Sequence, residues 1–263
     1  PQSDSRMWVY GSDIRSGKAI RIFEYQPDRT GERPKRFLSS FKGYLVTDGY
    51  TAYNAVENVT RCGCWAHMRR AWRDAMPKGA TTQNSKAAVG YNYCNKLFAL
   101  EKKWKTQTNA ERLKSRQYKS EKIVDEYYLW VRSLDPVIGS KLEDAVNYAL
   151  NQEQYLRAFL KNGEVEISNN FAENAIRPFV IGRKNWLFSD TVKGAKSSAI
   201  IYSLIETAKA NGQEENAVKL ISQIYLKKAQ ASNKAKNYQE VIDFATKSNE
   251  ALENGNAYKL AAS

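Results

Sequence analysis

The sequence is poor in the features that mark secreted and membrane-spanning proteins. It has three cysteines and one histidine in 263 residues. An odd and sparse cysteine set argues against a disulfide framework and indicates a reducing compartment. No apolar run approaches the roughly 20 residues that a transmembrane helix needs, and no signal peptide is visible. We therefore expect a cytoplasmic protein that does not enter a membrane.

Negative charge is also scarce relative to positive charge. The chain has 41 Lys and Arg against 28 Asp and Glu, for a net charge of +13. Such a balance favours a polyanionic partner, most often nucleic acid, although plain solubility is the simpler explanation. The length suits one large domain, or a domain with an insertion, that buries a substantial core.

The first part of the chain favours β-strands. Residues 7–10 and 19–25 are rich in β-branched and aromatic types, and the turn-forming residues between them predict a hairpin. Residues 44–47 predict a central strand that ends before Asp48 and Gly49, and residues 62–66 predict another strand. Before these two strands, residues 31–38 predict a loop that enters a helix, with Pro34 near its first turn.

From about residue 67 to residue 161 the pattern is helical. Ile123, Tyr127, Trp130 and Leu134 recur at helical spacing and predict an apolar stripe that packs in the core. Ser140 with a glutamate three residues later predicts a capping box, and Gly163 predicts a helix stop. This stretch is interpreted as a helical insertion.

Another helix is predicted to begin near residue 168 or 169. On it, Asn170, Glu173, Asn174 and Arg177 share one polar face. Pro178 is predicted to end this helix, and residues 195–205 mark a further helix that closes at residues 211–212.

Two acidic residues suggest a catalytic chemistry. Asp48 closes a predicted strand, and Glu173 lies in the first turns of a predicted helix. Two-metal phosphoryl transfer on nucleic acid needs carboxylates that come together from distant parts of a chain. The alternative is that both are ordinary surface acids, with Glu173 paired to Arg177 one helical turn away.

Several ordered motifs resemble the transposases of the insertion-sequence-66 family. The resemblance covers roughly residues 6 to 212, and it is carried by residues 8–10, 23–31, 43–50, 63–70, 168–188 and 194–212. It implies an α/β fold with a ribonuclease-H-like core, a helical insertion at about 74–162 and an Asp-Asp-Glu site that binds Mg²⁺ or Mn²⁺. By the family pattern Asp48 is the second acid and Glu173 the third, and Asp190 is a nearby alternative.

The resemblance departs from the family pattern at its beginning. The first catalytic Asp of the family lies on a strand before the segment that opens here, and neither Asp4 nor Asp13 has the strand context to replace it. We therefore expect a core that is incomplete at its first strand, weak metal binding and little strand transfer. The function expected is DNA strand cleavage and joining during transposition of an insertion sequence. The alternative is a non-catalytic DNA-binding remnant fused to a helical protein-interaction segment.

Cys62, Cys64 and His67 suggest either a metal site or a buried strand that runs into a helix. A structural zinc site needs four ligands, and no fourth is apparent nearby, so the second interpretation is favoured. His67 is part of the family motif over residues 63–70. It is expected either to contact DNA phosphate, to position an acid, or to serve as a core or surface histidine.

The remaining DNA-contact candidates are cationic or aromatic. Each of these groups either contacts DNA phosphate or forms part of a solvated surface. If they contact phosphate, DNA binding is expected to weaken steeply as the salt concentration rises. Trp186 is an aromatic that could stack on an unpaired base. The candidates are His67, Arg69, Arg70, Arg177, Arg183, Lys184 and Trp186, with Arg73 following on the same helix as Arg70.

The tail breaks the resemblance. Residues 214–263 carry seven Lys or Arg and six Asp or Glu, so +12 of the net +13 lies before them. Two amphipathic helices are predicted at 217–231 and 238–252, with a weak likeness to a tetratricopeptide repeat. We interpret residues 1–212 as the transposase-like domain and 213–263 as a helical tail. The tail is a fused fragment, a protein-interaction hairpin or a pair of helices that pack on the core. The expected partners are transposon-end and target DNA and further copies of the chain, in the nucleoid of a bacterial cytoplasm.

Overall fold

A computed structural model gives the fold of the chain. It describes residues 6–13, 15, 17–77, 85–185, 192–213 and isolated positions near 215–223, with the backbone alone over 178–185. The chain divides into two compact units. We call residues 29–171 the central unit, and residues 1–28 together with 172–263 the terminal unit.

The terminal unit contains the predicted hairpin. Strand β1, Arg6–Ser12, pairs antiparallel with β2, Ile20–Gln26, in a register that places Val9 opposite Phe23. Helix α7, Asn170–Asn185, begins at the boundary of the two units, and α8, Val192–Ala210, follows it. Phe23 of β2 shares a small core with Ala175 of α7 and with Ala199 and Tyr202 of α8.

Helix α8 supplies hydrogen bonds to the edge of β2 that faces away from β1. The amide of Phe23 donates to Ser203 Oγ at 2.8 Å. The amide of Arg21 donates to Thr207 Oγ1 at 2.9 Å, and the same hydroxyl donates back to the Arg21 carbonyl at 2.9 Å. Ser203 and Thr207 are one helical turn apart, so two short side chains cover a strand edge that would otherwise be open to pairing.

Helix α8 ends as the sequence predicts. Gly212 has φ of 68°, in the left-handed region that favours glycine. Its amide donates to the carbonyl of Lys209 at 3.1 Å, and the amide of Gln213 donates to the carbonyl of Ala208 at 2.8 Å. These two bonds form a Schellman motif, which satisfies the last carbonyls of the helix.

The central unit begins with α1, Glu32–Phe37, and a parallel strand pair. Strand β3, Gly43–Thr47, pairs with β4, Val59–Gly63, with Leu45 opposite Arg61 and Thr47 opposite Gly63. A 3₁₀ turn over Thr51–Ala55 lies between them. Strand β4 leads directly into α2, Trp65–Asp74, so the predicted strand that runs into a helix is confirmed. The strand lies three residues earlier than the predicted range of 62–66.

The helices interpreted above as an insertion follow, and they form the larger core; we keep the name helical insertion for them. It comprises α3, Lys86–Lys103; α4, Asn109–Ser115; a π-helical turn, Arg116–Ser120; α5, Glu121–Arg132; α6, Lys141–Leu156; and a 3₁₀ turn, Ala158–Lys161. The predicted stripe is confirmed, since Tyr127 is fully buried and Ile123, Trp130 and Leu134 pack against the same core. Trp65 and Trp72 of α2 meet Tyr127 edge-on, and Trp72 Nε1 donates to its hydroxyl at 3.0 Å.

Two buried arginines fix the chain that leaves the insertion. Glu101 accepts hydrogen bonds from Arg112 and from Arg116, with Arg116 Nε 2.8 Å from Oε1. Arg112 also donates to the carbonyl of Gly163 at 3.1 Å, and Arg116 donates to that of Val165 at 2.8 Å. These bonds satisfy carbonyls of a segment that has no α-helix of its own.

The structure corrects several local predictions. Pro178 does not end α7, which continues to Asn185. The reason is that a proline removes one helical hydrogen bond while the turns on either side keep theirs.

Gly163 is not a helix stop, because α6 ends at Leu156. A Cβ at Gly163 would lie 1.8 Å from the Asn109 carbonyl oxygen, so close packing explains this glycine. In the predicted capping box, Ser140 Oγ accepts from the Glu143 amide as expected. The Glu143 carboxylate, however, accepts from Gly139.

The described residues form a mixed α/β structure that is mostly helical, with four strands in two small sheets. The ribonuclease-H-like core stays a prediction. The helices predicted at 217–231 and 238–252 lie outside the described residues, apart from isolated positions. None of the helices in the described part of the chain is long and apolar enough to cross a membrane.

Candidate functional site around Asp48

Asp48 lies at the carboxyl end of β3, directly after the parallel pair. The strand is rich in aliphatic and aromatic side chains, and Gly49 follows the aspartate. Asp48 is half-buried, and its Oδ1 accepts a hydrogen bond from the Tyr50 amide at 2.9 Å. This is the local turn that an aspartate side chain favours. The other oxygen of the Asp48 carboxylate, Oδ2, accepts no hydrogen bond from the residues that the structure describes.

Arg61 holds the backbone of this turn from the neighbouring strand. Its Nε donates to Thr47 Oγ1 at 2.9 Å, and its Nη2 donates to the carbonyl of Asp48 at 2.9 Å. Nη1 donates to Asn54 Oδ1. The Arg61 guanidinium lies 4.4 Å from the ring centre of Tyr155 in α6. One planar cation thus joins the end of β3, the following 3₁₀ turn and the insertion.

Two tyrosines lie near the Asp48 carboxylate. Burial raises the pKa of Tyr53 to about 12, and the charge of Asp48 adds to that effect. Burial likewise raises the pKa of Tyr148 to about 12, with smaller contributions from Cys64 and Asp48. Both phenols therefore keep their protons at neutral pH and can donate hydrogen bonds.

Glu173 lies in the first turn of α7, in the terminal unit, and it is half-buried. The shared polar face is confirmed in part, because Asn170, Asn174 and Arg177 are exposed and Ala175 is buried. Asp48 belongs to the central unit. The two carboxylates that the sequence pairs are therefore positioned by different units of the chain.

The basic residues of α2 differ in their surroundings. Arg69 lies against α3, with its guanidinium 4.7 Å from the ring centre of Phe98 and Nη1 3.4 Å from Asn95 Oδ1. Arg70 is exposed, and Arg73 pairs with Asp74 at 3.0 Å. His67 is half-buried, and it lies about one helical turn before Arg70. The side chains of Arg183 and Lys184, together with Trp186 and Asp190, lie outside the described residues.

The cysteines lie in the core. Cys62 is in β4, and Cys64 is the residue before α2; both are completely buried. Burial raises the pKa of Cys62 to about 12, and it raises the pKa of Cys94 further. The amide of Trp65 donates to the carbonyl of Ile167 at 3.0 Å, so this junction is tied to the segment before α7. Over the described ranges, no three His, Cys, Asp or Glu side chains are grouped so that they could hold a metal ion together.

Sequence reasoning missed Arg61, Tyr148 and Tyr155. One signal was present for Arg61, because it is a cation within the short strand beside Asp48. No sequence signal pointed to the two tyrosines. Tyr148 and Tyr155 lie in α6, far along the chain from Gly49 and Arg61, which they contact.

Comparisons with known proteins identify relatives of this sequence. A sequence model of the Transposase IS66 family matches residues 1–197. The uncharacterized protein y4qI of Sinorhizobium fredii (strain NBRC 101917 / NGR234) is 32% identical over 222 residues, which cover 78% of this chain and 41% of that protein. The uncharacterized protein y4hP of the same organism is 27% identical over 235 residues, covering 81% of this chain and 42% of that protein.

The chain spans about two fifths of the length of these curated relatives. No solved structure matches it. The family match covers most of the chain, including Asp48, the whole insertion and Glu173. The chain therefore belongs to the Transposase IS66 family.

Proposed function

We propose that this chain carries part of the active site for metal-dependent DNA strand cleavage and joining during transposition of an insertion sequence. In this proposal Asp48 and Glu173 are two of the metal-binding carboxylates, and the ion is Mg²⁺ or Mn²⁺. Membership of a transposase family supports a role in transposition. The fold around these residues is proposed to be ribonuclease-H-like.

The observation that carries the proposal is the construction of the Asp48 turn. Asp48 follows a strand of a parallel pair, and Arg61 binds its carbonyl while the Tyr50 amide binds Oδ1. The carboxylate is thus held in place while Oδ2 accepts no hydrogen bond within the described residues. A ligand for a metal ion needs this combination of a fixed backbone and an available oxygen.

The donor atoms fit the proposed ion. Carboxylate oxygens are hard ligands, which Mg²⁺ and Mn²⁺ prefer over thiolate. When bound, such an ion would activate the attacking hydroxyl and offset charge that develops on the scissile phosphate. The protein's part is to hold Asp48 through Arg61 and Tyr50, and to present Glu173 on the first turn of α7, where a helix favours negative charge.

DNA is proposed to contact the cationic residues of α2 and α7, which include Arg183 and Lys184, and also Trp186. Arg70 and Arg177 are exposed, and His67 is half-buried on the same helix as Arg70. Arg69 belongs to this set as well, although its guanidinium packs against Phe98. Binding through these groups is expected to weaken steeply between low and moderate salt.

The assembly and location of the whole protein are proposals as well. Self-association on DNA and action at the bacterial nucleoid are expected from the family. A protein partner of the C-terminal residues 213–263 is also proposed.

The test uses Asp48→Asn and Glu173→Gln in the purified chain, with Asp74→Asn as the control for an exposed acid. We expect each site variant to weaken Mn²⁺ binding about tenfold or more, measured by electron paramagnetic resonance, while the control matches wild type. Any Mn²⁺-dependent nicking of transposon-end DNA is expected to disappear in both site variants. Metal binding that neither substitution changes would contradict the proposal and favour a DNA-binding remnant.

A further inference from the structure

The helical insertion touches the proposed catalytic turn. The contact is made by Tyr148 of α6, whose ring lies against Gly49. A Cβ at position 49 would lie 2.8 Å from Tyr148 Cε2 and 3.3 Å from its hydroxyl oxygen. Gly49 therefore leaves the space that the tyrosine ring occupies, and the residue next to Asp48 packs directly on the insertion.

Helix α6 is a rigid support for this contact. Its first turn is capped by Ser140 Oγ, which accepts from the Glu143 amide at 3.1 Å. Val146 and Ala149, on either side of Tyr148 in sequence, are buried in the larger core. At its far end the carbonyl of Leu156 accepts from Trp65 Nε1 at 2.9 Å. The core of the central unit therefore holds the backbone of α6 at Tyr148, and the half-buried tyrosine ring packs against that core.

The same helix reaches the turn a second time through Arg61. Tyr155 lies seven residues after Tyr148, so both side chains project from one face of α6. The ring of Tyr155 lies 4.4 Å from the Arg61 guanidinium, which donates to the Asp48 carbonyl at 2.9 Å. The insertion thus holds the turn directly at Gly49 and indirectly at Asp48.

We propose that Tyr148 is a positioning residue for Asp48, through which the helical insertion sets the place of the metal-binding carboxylate. The inference rests on the proposed function of Asp48 as a metal ligand. Tyr148 acts through the backbone of Gly49, so it is not itself a metal ligand. Removing its ring frees the turn to shift, and a ligand that is held loosely binds its metal less well.

A positioning role predicts a specific pattern among variants. Tyr148→Ala is expected to weaken Mn²⁺ binding by about tenfold. Tyr148→Phe keeps the ring but loses the hydrogen bond between the phenol and the Gly49 backbone, so it is expected to fall between wild type and Tyr148→Ala. Gly49→Ala is expected to weaken binding because its Cβ runs into the tyrosine ring. The double variant Gly49→Ala/Tyr148→Ala removes that clash and is expected to bind no worse than Tyr148→Ala alone.

The experiment measures Mn²⁺ affinity by electron paramagnetic resonance and hydrogen exchange of the Tyr50 amide without metal. The amide donates to Asp48 Oδ1, so its exchange rate reports the turn directly. We expect faster exchange in Tyr148→Ala than in wild type. Tyr118→Ala is the matched control, because Tyr118 also belongs to the insertion and is 67% exposed. Thermal melting of every variant identifies any that fail to fold.

Two outcomes separate this inference from the proposed function. If Asp48→Asn weakens metal binding while Tyr148→Ala changes neither affinity nor exchange, the positioning role is wrong and the proposed function stands. If Asp48→Asn leaves metal binding intact, the proposed function fails, and exchange at Tyr50 alone then decides whether Tyr148 holds the turn. A double variant that is worse than both single variants would also contradict the contact with Gly49.

Discussion

At the scale of single residues, the turn after β3 depends on one cation. Arg61 makes contacts that no other described side chain near Asp48 makes, because its planar guanidinium reaches Thr47, Asp48 and Asn54 together. Lysine carries the same charge on one nitrogen and lacks this geometry. The identity of the residue, beyond its charge, is therefore expected to matter.

We predict that Arg61→Ala lowers the free energy of unfolding by about 2–3 kcal/mol, because several acceptors lose a charged donor. Arg61→Lys is expected to recover only part of the loss. Urea unfolding followed by tryptophan fluorescence measures both. Arg73→Ala, which removes an exposed pair with Asp74, is the control and is expected to cost less than about 1 kcal/mol. Equal stability of Arg61→Lys and wild type would argue against the bonding geometry described above.

The three thiols give a second prediction at this scale. Cys62, Cys64 and Cys94 are buried, and burial raises the pKa of Cys62 and Cys94. Since the thiolate is the reactive form, none is expected to react with a disulfide reagent at pH 8 in the native protein. All three are expected to react in denaturant. Rapid reaction of Cys62 or Cys64 in the native state would reopen the metal-site interpretation of the motif with His67.

At the scale of elements, the observed strands and helices match the predicted ones where the local sequence pattern is strong. The hairpin, the helix after Ser140, and the Schellman end of α8 all lie where turn residues, caps and periodicity place them. Local reasoning was wrong at Pro178 and Gly163. Each has a strong local meaning as a helix breaker, and neither acts as one here.

Gly90 in α3 provides a test of packing between elements. In a helix, Ala is favoured over Gly by about 0.5–1 kcal/mol, so local propensity predicts that Gly90→Ala stabilises the protein. A Cβ at position 90 would lie 2.4 Å from the buried indole of Trp72. We therefore expect Gly90→Ala to destabilise by about 1–3 kcal/mol, because the core has no room for it.

Asn92→Ala is the matched control, since Asn92 is exposed on the same helix. It also raises helix propensity but touches no core residue, so a small gain in stability is expected. Thermal unfolding of the two variants gives the comparison. If Gly90→Ala melted above wild type, the close approach of α2 and α3 would be incorrect.

At the scale of the whole molecule, long-range polar contacts connect elements far apart in sequence. Glu101 of α3 binds Arg112 and Arg116, and these arginines bind the segment that leads to α7. Burial by itself raises the pKa of the Glu101 carboxyl, but the hydrogen bonds and charges of Arg116 and Arg112 outweigh it and hold that pKa below its ordinary value. Folding therefore favours the charged form.

This charge predicts a pH-dependent stability. A depressed pKa contributes stability that is fully present above the ordinary Glu value of about 4.3 and is lost as the pH falls through the folded value. We expect Glu101→Gln to lower the free energy of unfolding by about 3–5 kcal/mol near pH 7, because it leaves buried arginines unpaired. The gap to wild type is expected to narrow below about pH 4.

Urea unfolding at several pH values between 3 and 7 measures this gap. Glu121→Gln, at an exposed position on α5, is the control and is expected to stay within about 0.5 kcal/mol of wild type. A gap that keeps the same size across this range would show that the charge of Glu101 does not carry the stabilisation.

The sequence by itself determined the strands, the capped helices, the buried stripe and the family, because the residues that indicate each feature are close together along the chain. Periodicity, turn residues and contiguous motifs are local, so they can be read without a structure. Only the tertiary structure decided that Arg61 donates a hydrogen bond to the Asp48 carbonyl and that the Tyr148 ring fills the space at Gly49. It also decided that Glu101 pairs with Arg112 and Arg116. Such contacts join residues of different elements, and they leave no periodic pattern that the sequence could show.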